Sequence, residues 1–540
     1  MVETKTNPWL VLVVLCMGFF MILLDITIVN IAIPSMIDGL KASLDQVLWV
    51  LNSYTLTYAV LLITAGRLGD IFGPRNVFAA GMAVFVAGSA FCGLAQDPNQ
   101  LIAARIAQGV GGAALTPQTL TMLTSLFPPE RRGAAFGIWG AVAGIAAVAG
   151  PTLGGFLVTW ASWRWIFYVN VPVGIVAFIA TFLVVPDIRP GRRHRLDLVG
   201  VVLASGGLFG IVFGLIEGQR YDWGAIWGAI TIPEVIAAGA IVWALFMGWE
   251  LFQTEPLVPL SLFANRNFSL SNWVGAVLAM GMFGLFLPLT IYFQSVLGYA
   301  ALNAGLALAP MPLMSMLTAP WAGRLADRIG GKYILMAGLA FFGSGMAYVA
   351  WMASPSSQWY SFLPGLILGG VGMGCTFAPL VTVAMRNVEP RQAGSASGVL
   401  NTTRQVGGAV GLAVVGAVLQ NRLAAELHNQ AVSRSSELPA AFRQQFVAAF
   451  NGVAKSGFQV GRGQTGGAQL PAGMPAQSAA QLQQLFHDVF VNAYVDAMRP
   501  TIAVAIAFLF VASVSCLFIV RRKRPAAAVP VAEEELRAAS

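Results

Sequence analysis

Charge is scarce in this chain: 10% of its 540 residues are Asp, Glu, Lys or Arg, while 57% are hydrophobic and mean hydropathy is +0.73. So little polar surface cannot cover a soluble globule of this size, and the chain reads as an integral membrane protein. Histidine is nearly missing too. His194, His428 and His487 all fall between apolar segments, which argues against a metal site or a His-based catalytic centre within the membrane. The four cysteines, Cys16, Cys92, Cys375 and Cys516, lie inside apolar segments with neither pairing nor metal-ligand spacing, and read as small buried hydrophobes. No P-loop occurs, which disfavours a primary ATP-driven pump, and "GRGQTG" at 461–466 matches G-x-G-x-x-G only by chance, since no strand precedes it. The short apolar/polar alternation of a transmembrane β-barrel is also lacking.

What is present is the apolar segment, repeated from end to end. A helix crossing ~30 Å of hydrocarbon needs ~20 such residues, and in lipid a helix is the default because each backbone amide must be satisfied within its segment. Fourteen spans are expected, at 9–33, 47–66, 77–95, 101–126, 135–158, 164–185, 198–217, 226–249, 268–293, 302–322, 334–352, 360–384, 394–419 and 500–520. The first begins after Lys5 without a small-residue cleavage site and reads as a retained span. Loops after even-numbered spans carry Arg67 and Arg75, Arg131 and Arg132, "RPGRRHR" at 189–195, Arg266, "GRLADRIGGK" at 323–332, Arg386 with Arg391, and "RRKR" at 521–524. Both termini are therefore expected in the cytoplasm. The net charge of +8 is largely this asymmetry, so no nucleic-acid partner is expected.

Two stretches recur. "GRLGDIFGPRN" at 66–76 and "GRLADRIGGKY" at 323–333 align at an offset of 323 − 66 = 257, and "GAAFG" at 133–137 aligns with "GSASG" at 394–398 at 394 − 133 = 261. The chain reads as a duplication: a six-helix bundle over 1–190, two inserted linker helices over 191–265, a second six-helix bundle over 266–520 that includes an external loop at 420–498, and a cytoplasmic tail at 521–540. In that loop, "RSSELPAAFRQQF" and "AAQLQQLFHDVFVNAYVDAM" read as short amphipathic helices around a Gly/Gln centre. Duplicated bundles meeting at a central site are a common transporter plan, although repetition alone does not prove transport.

One carboxylate, Asp25, interrupts the apolar run "FFMILLDITIVNIAIPSM" at 19–36, and intramembrane acids are functional by default. Asp25 sits roughly 13 Å below the external end of the first span, and Arg105 roughly 9 Å below that of the fourth, at ~1.5 Å per residue. The two are expected to meet or share a water. Burial favours the neutral acid and a neighbouring arginine the carboxylate, so a motion that changes their separation or hydration changes proton affinity. The alternatives are a snorkelling Arg105 and a purely structural ion pair. Substitution of the aligned positions by Met282 and Leu366 confines this chemistry to the first half.

Together, "GRLGDIFGPRN", "RIAQGVGGA" at 105–113, "AGPTLGG" at 149–155 and "LDITIVNIAIP" at 24–34 resemble the signature motifs of the major facilitator superfamily. With fourteen spans and "WRWIFYVNVPVG" at 163–174, the chain is similar to the fourteen-span drug:proton antiporter branch of that family. The resemblance implies a conformational latch built from Gly66, Arg67, Asp70, Gly73, Arg75, Arg324 and Asp327, and an antiporter motif at Gly150, Pro151, Gly154 and Gly155, where small residues allow a tight, bent contact between halves. It also implies a bacterial cell membrane, a functional monomer, and no cofactor beyond the proton gradient, which supplies ~2.3 kcal/mol per 100 mV and ~1.4 per pH unit. Substrate-lining candidates are Asn30, Tyr54 and Gln108 in the first half and Met282, Phe286, Gln294, Met314 and Arg404 in the second, where Met and aromatic residues suit varied apolar solutes. Arg404 either hydrogen-bonds neighbouring carbonyls or meets substrate. No carboxylate appears between 394 and 419, which departs from some relatives, and Glu217 reads as a solvated helix end. The expected function is proton-coupled export of amphipathic, cationic or neutral compounds such as drugs, dyes and antibiotics. Export of a specific metabolite or lipid is the alternative. A membrane-embedded acyltransferase and a non-transporting receptor are disfavoured.

Overall fold

The computed structural model describes residues 7–187, 196–389, 392–437, 440–453 and 476–520. "RPGRRHR" with His194, Arg391, "GRGQTG" and the tail with "RRKR" lie outside them. The long helices in chain order are α1 (Pro8–Ile28), α2 (Leu44–Phe72), α3 (Pro74–Leu94), α4 (Pro98–Leu126), α5 (Arg132–Trp160), α6 (Asn170–Val184) and α7 (Leu198–Glu217). They continue with α8 (Ile232–Glu250), α9 (Arg266–Ile291), α10 (Pro310–Ile329), α11 (Gly331–Met352), α12 (Leu363–Ala384), α13 (Ala393–Arg434) and α14 (Ala476–Ser515). Thirteen helical segments among the described residues are long and apolar enough to cross a bilayer. The expected fourth span forms the 29-residue α4, whose Arg105, Gln108, Gln118 and four buried threonines make it the polar one.

Several expected boundaries move, each for a local reason. A 3₁₀ turn at Val29–Ala32 leads from α1 into a helix at Ile33–Leu40, and Pro34 falls in that helix's first turn, where a missing N–H costs nothing. The stretch 226–231, expected as the start of a span, is a small hairpin of β1 (Ala225–Trp227) and β2 (Ile230–Thr231). The tenth span is split at Ala309, a short helix at Ala301–Leu308 preceding α10. In the segment expected to be external, "AAQLQQLFHDVFVNAYVDAM" is not a separate short helix: α13 and α14 run on beyond their expected spans. Phe446 and Phe450, from a helix at Ala440–Val453, pack on Phe486 with ring centroids 5.0 and 5.1 Å apart.

The motif at 66–76 was expected as a loop but is mostly helix. α2 continues to Phe72, and the chain reverses in one residue, Gly73, at φ +88°. Gly330 repeats this at φ +87° after α10, at the same offset of 330 − 73 = 257. Side chains beyond glycine are strained in that region, so each reversal requires its glycine. The halves meet along two seams, α2 on α13 and α5 on α10, which exchange under the duplication. α7 packs on both α2 and α13.

Candidate functional site

Asp25 is wholly buried where α1, α3, α4 and α6 converge. One carboxylate oxygen pairs with the Arg105 guanidinium. The other accepts from Gln108 Nε2 at 2.8 Å and Asn170 Nδ2 at 3.4 Å. Arg105 and Gln108 are three residues apart on α4, so both reach the acid from one helix face. Arg105 also donates from Nε to the Val50 carbonyl at 3.1 Å and from Nη1 to Gln108 Oε1 at 2.7 Å, and lies 4.2 Å over the Tyr54 ring. Ser89 Oγ receives Gln108 and Asn170, each at 3.2 Å, and donates to the Phe167 carbonyl at 2.9 Å. A buried charge pair is tolerable only when further polar groups meet its donors and acceptors, and here Gln108 and Asn170 bond the carboxylate while the Val50 carbonyl and Gln108 accept from the guanidinium.

The expected meeting of Asp25 and Arg105 is thus present, without snorkelling. Tyr54 and Gln108, expected in the substrate lining, belong to this cluster instead, because their faces of α2 and α4 point at the acid. Ser89 and Asn170 were missed by the sequence reading. The signal for Asn170 was an amide inside the otherwise apolar "IFYVNVPVG".

Of the residues expected in a latch, Asp70, Asp327 and Gly66 make contacts between the first and second parts of the chain. Asp70, at the end of α2, accepts from the Gly394 and Ser395 backbone amides and the Ser395 hydroxyl, each at 2.9 Å, at the N-terminus of α13. Asp327, at the end of α10, accepts from the Gly133 and Ala134 amides at 2.8 and 3.0 Å, at the N-terminus of α5. Each carboxylate of one half caps a helix of the other, and a helix N-terminus favours a negative charge. A methyl group on Gly66 would overlap the Gly394 carbonyl, and one on Gly323 that of Gly133, so the backbones meet directly. The two sequence echoes therefore interlock crosswise. The expected latch arginines go elsewhere: Arg67 to Glu255 at 3.6 Å, Arg75 to Asp187 at 3.5 Å, and Arg324 over the Trp321 ring at 5.4 Å.

In the antiporter motif, Gly150 and Gly154 press on Thr27 and Ile28 of α1, immediately after Asp25, while Pro151 lies against Gly305 and Gly155 against Leu302 of the second half. The expected contact between halves is therefore shared with one inside the first half. Asn30 is exposed, its amide donating to the Ile26 carbonyl at 3.0 Å. Met282 and Phe286 pack against the second-half core, Met314 against Gly370, and Gln294 is partly buried in a π turn. Glu217 is not a solvated helix end. It is buried, accepting from Asn52 at 2.8 Å and pairing with Arg220 at 2.9 Å, because α7 docks on α2. Among the described residues no cluster of His, Cys, Asp and Glu could hold a metal ion.

Residues 15–412 match the model of the Major Facilitator Superfamily. The chain is 37% identical over 429 residues to the puromycin resistance protein pur8 of Streptomyces alboniger, covering 79% of this chain and 84% of that one. It is 33% identical over 516 residues to the tetracenomycin C resistance and export protein of Streptomyces glaucescens, covering 95% and 92%. A solved proton:xylose symporter, XylE, has the same fold, with a TM-score of 0.56 at 11% identity over 83% of this chain and 94% of that one. The chain belongs to the Major Facilitator Superfamily.

Proposed function

We propose that this multi-pass membrane protein exports amphipathic organic compounds (drugs, dyes and antibiotics) in exchange for protons, by alternating access. The export half of this reading rests on relatives named for antibiotic resistance and export. The proton half rests on one observation: Asp25, buried and paired with Arg105, on the helix that also packs against the antiporter motif. In the reading, fourteen helices form two six-helix bundles plus the inserted α7 and α8, in a bacterial cytoplasmic membrane with both termini inside. The protein works as a monomer on small substrates and protons, with no nucleic-acid partner.

The structure has its Asp70 and Asp327 latches engaged, which in this reading is the state closed to the cytoplasm. In that state a proton from outside displaces Arg105 from Asp25 and substrate leaves outward. When the latches part, the bundles tilt, the proton passes to the cytoplasm, Asp25 pairs with Arg105 again, and new substrate enters from the cytoplasm. The test uses inverted vesicles acidified inside: adding fluorescein to an energised membrane releases internal protons, and Asp25→Asn abolishes the release while the protein still folds. An Asn variant that still concentrates fluorescein removes Asp25 as the coupling site.

A further inference from the structure

The membrane holds a second deep arginine, treated in the opposite way to Arg105. Arg404 lies 404 − 393 = 11 residues into α13, roughly 16 Å from its cytoplasmic end and so near mid-bilayer. Among the described residues nothing hydrogen-bonds or ion-pairs with its guanidinium, which offers five donors in a planar fork. The side chain is partly buried: its Cγ packs against Gly275 of α9, and the guanidinium lies 4.9 Å over the Phe377 ring of α12. It is the only charged residue in the spans 268–293, 302–322, 334–352, 360–384, 394–419 and 500–520. Because Asp25 and Arg105 cancel, the deep charge of the molecule is one unpaired cation.

Polar groups without partners lie close by. Ser271 Oγ and Asn272 Oδ1, about one turn before Gly275 on α9, are buried and unpaired. On the first-half side Tyr58 of α2 is near enough to interact electrostatically with Arg404 and gives its hydroxyl to Thr116 at 3.0 Å. Tyr58 stacks on Tyr54 with centroids 6.1 Å apart, and Tyr54 covers Arg105. The guanidinium thus sits between the two halves, separated from the Asp25 cluster by two stacked tyrosines.

We propose that Arg404 is the point where the exported compound is recognised, and that this compound carries an organic anion, a carboxylate or phenolate, paired with the guanidinium while its apolar body lies along Phe377. An unpaired cation in hydrocarbon is costly, and a bidentate anion satisfies it. This inference rests on the export reading and replaces the cationic or neutral substrates expected from sequence.

The test reconstitutes the full chain in liposomes under an imposed pH gradient, with two xanthene dyes of similar shape: fluorescein, an anion, and rhodamine 123, a cation. The wild type moves fluorescein in preference. Arg404→Gln raises its KM about tenfold to a hundredfold and that of any rhodamine 123 transport by a clearly smaller factor, and Arg404→Lys recovers part of the loss. Fluorescein also raises the melting temperature of the wild type and the Lys variant but not of the Gln variant. Transport of rhodamine 123 without fluorescein, or equal losses for both dyes in Arg404→Gln, overturns the anion assignment and leaves export standing. Transport of neither dye by the wild type counts against export itself, and this assignment falls with it.

Discussion

Asp70→Asn should loosen the contact of α2 with the N-terminus of α13. The carboxylate makes three hydrogen bonds of 2.9 Å to Gly394 and Ser395, in a site only 7% exposed. An asparagine keeps one accepting oxygen but turns an NH₂ toward the remaining donors, and it carries no charge for the α13 N-terminus. Hydrogen bonds to a charged group contribute about 1.5–3 kcal/mol and an anion at a helix N-terminus about 0.3–2. With one bond retained and the Ser395 hydroxyl free to turn and accept from the NH₂, one charged bond and the helix-end attraction are lost, about 2–5 kcal/mol, which shifts the equilibrium with the unlatched state by about 30- to 4,000-fold. Spin labels at Asn76 and Asn387, both exposed and close in sequence to the Asp70 and Gly394 contact, report the separation once the four native cysteines are replaced. Pulsed dipolar spectroscopy should show a longer component growing in Asp70→Asn and, by the crosswise symmetry, in Asp327→Asn. Unchanged distance distributions in both variants would refute the latch argument.

Gly73→Ala and Gly330→Ala should each destabilise the protein by about 1–3 kcal/mol, read as a lower thermal unfolding midpoint in detergent, because both glycines sit at φ near +88°. Gly248→Ala, inside α8 with nothing within 4 Å of the new methyl, should instead be neutral or stabilising by up to about 1 kcal/mol. Glu217→Gln removes the buried charge that Arg220 and Asn52 hold and should cost about 1–3 kcal/mol, seen in the same melting assay. Asn170→Leu takes one donor from Asp25 and another from Ser89. Proton-coupled transport should fall about two- to tenfold in vesicle assays at equal protein content.

The helices were legible because hydrocarbon leaves a chain few options, and apolar length alone marks a span. α4 illustrates the limit: it was found as a span, yet polar side chains that face other helices lower its hydropathy, so composition describes it poorly. Pairing of Asp25 with Arg105 was legible from depth, since a rise per residue places two groups at one level. Their azimuth was not. Depth cannot say which helix faces turn together, so Tyr54 and Gln108 were placed in a substrate lining and Ser89 and Asn170 went unnoticed. The two echoes at 66–76 and 133–137 were visible with their copies, but that each engages the other's copy depends on how the halves dock, a long-range contact with no local pattern. Glu217 misled for the same reason: a helix end reads as solvated until another helix covers it.

The central claim is that Asp25 converts the proton gradient into substrate movement and is not merely structural. Substrate exchange at equilibrium needs the bundles to rock but needs no net proton flux, so comparing it with uphill accumulation in the same proteoliposomes isolates the coupling step. For Asp25→Asn the account predicts that exchange of labelled against unlabelled fluorescein persists while pH-driven accumulation is lost. Accumulation at the wild-type level in that variant would contradict it.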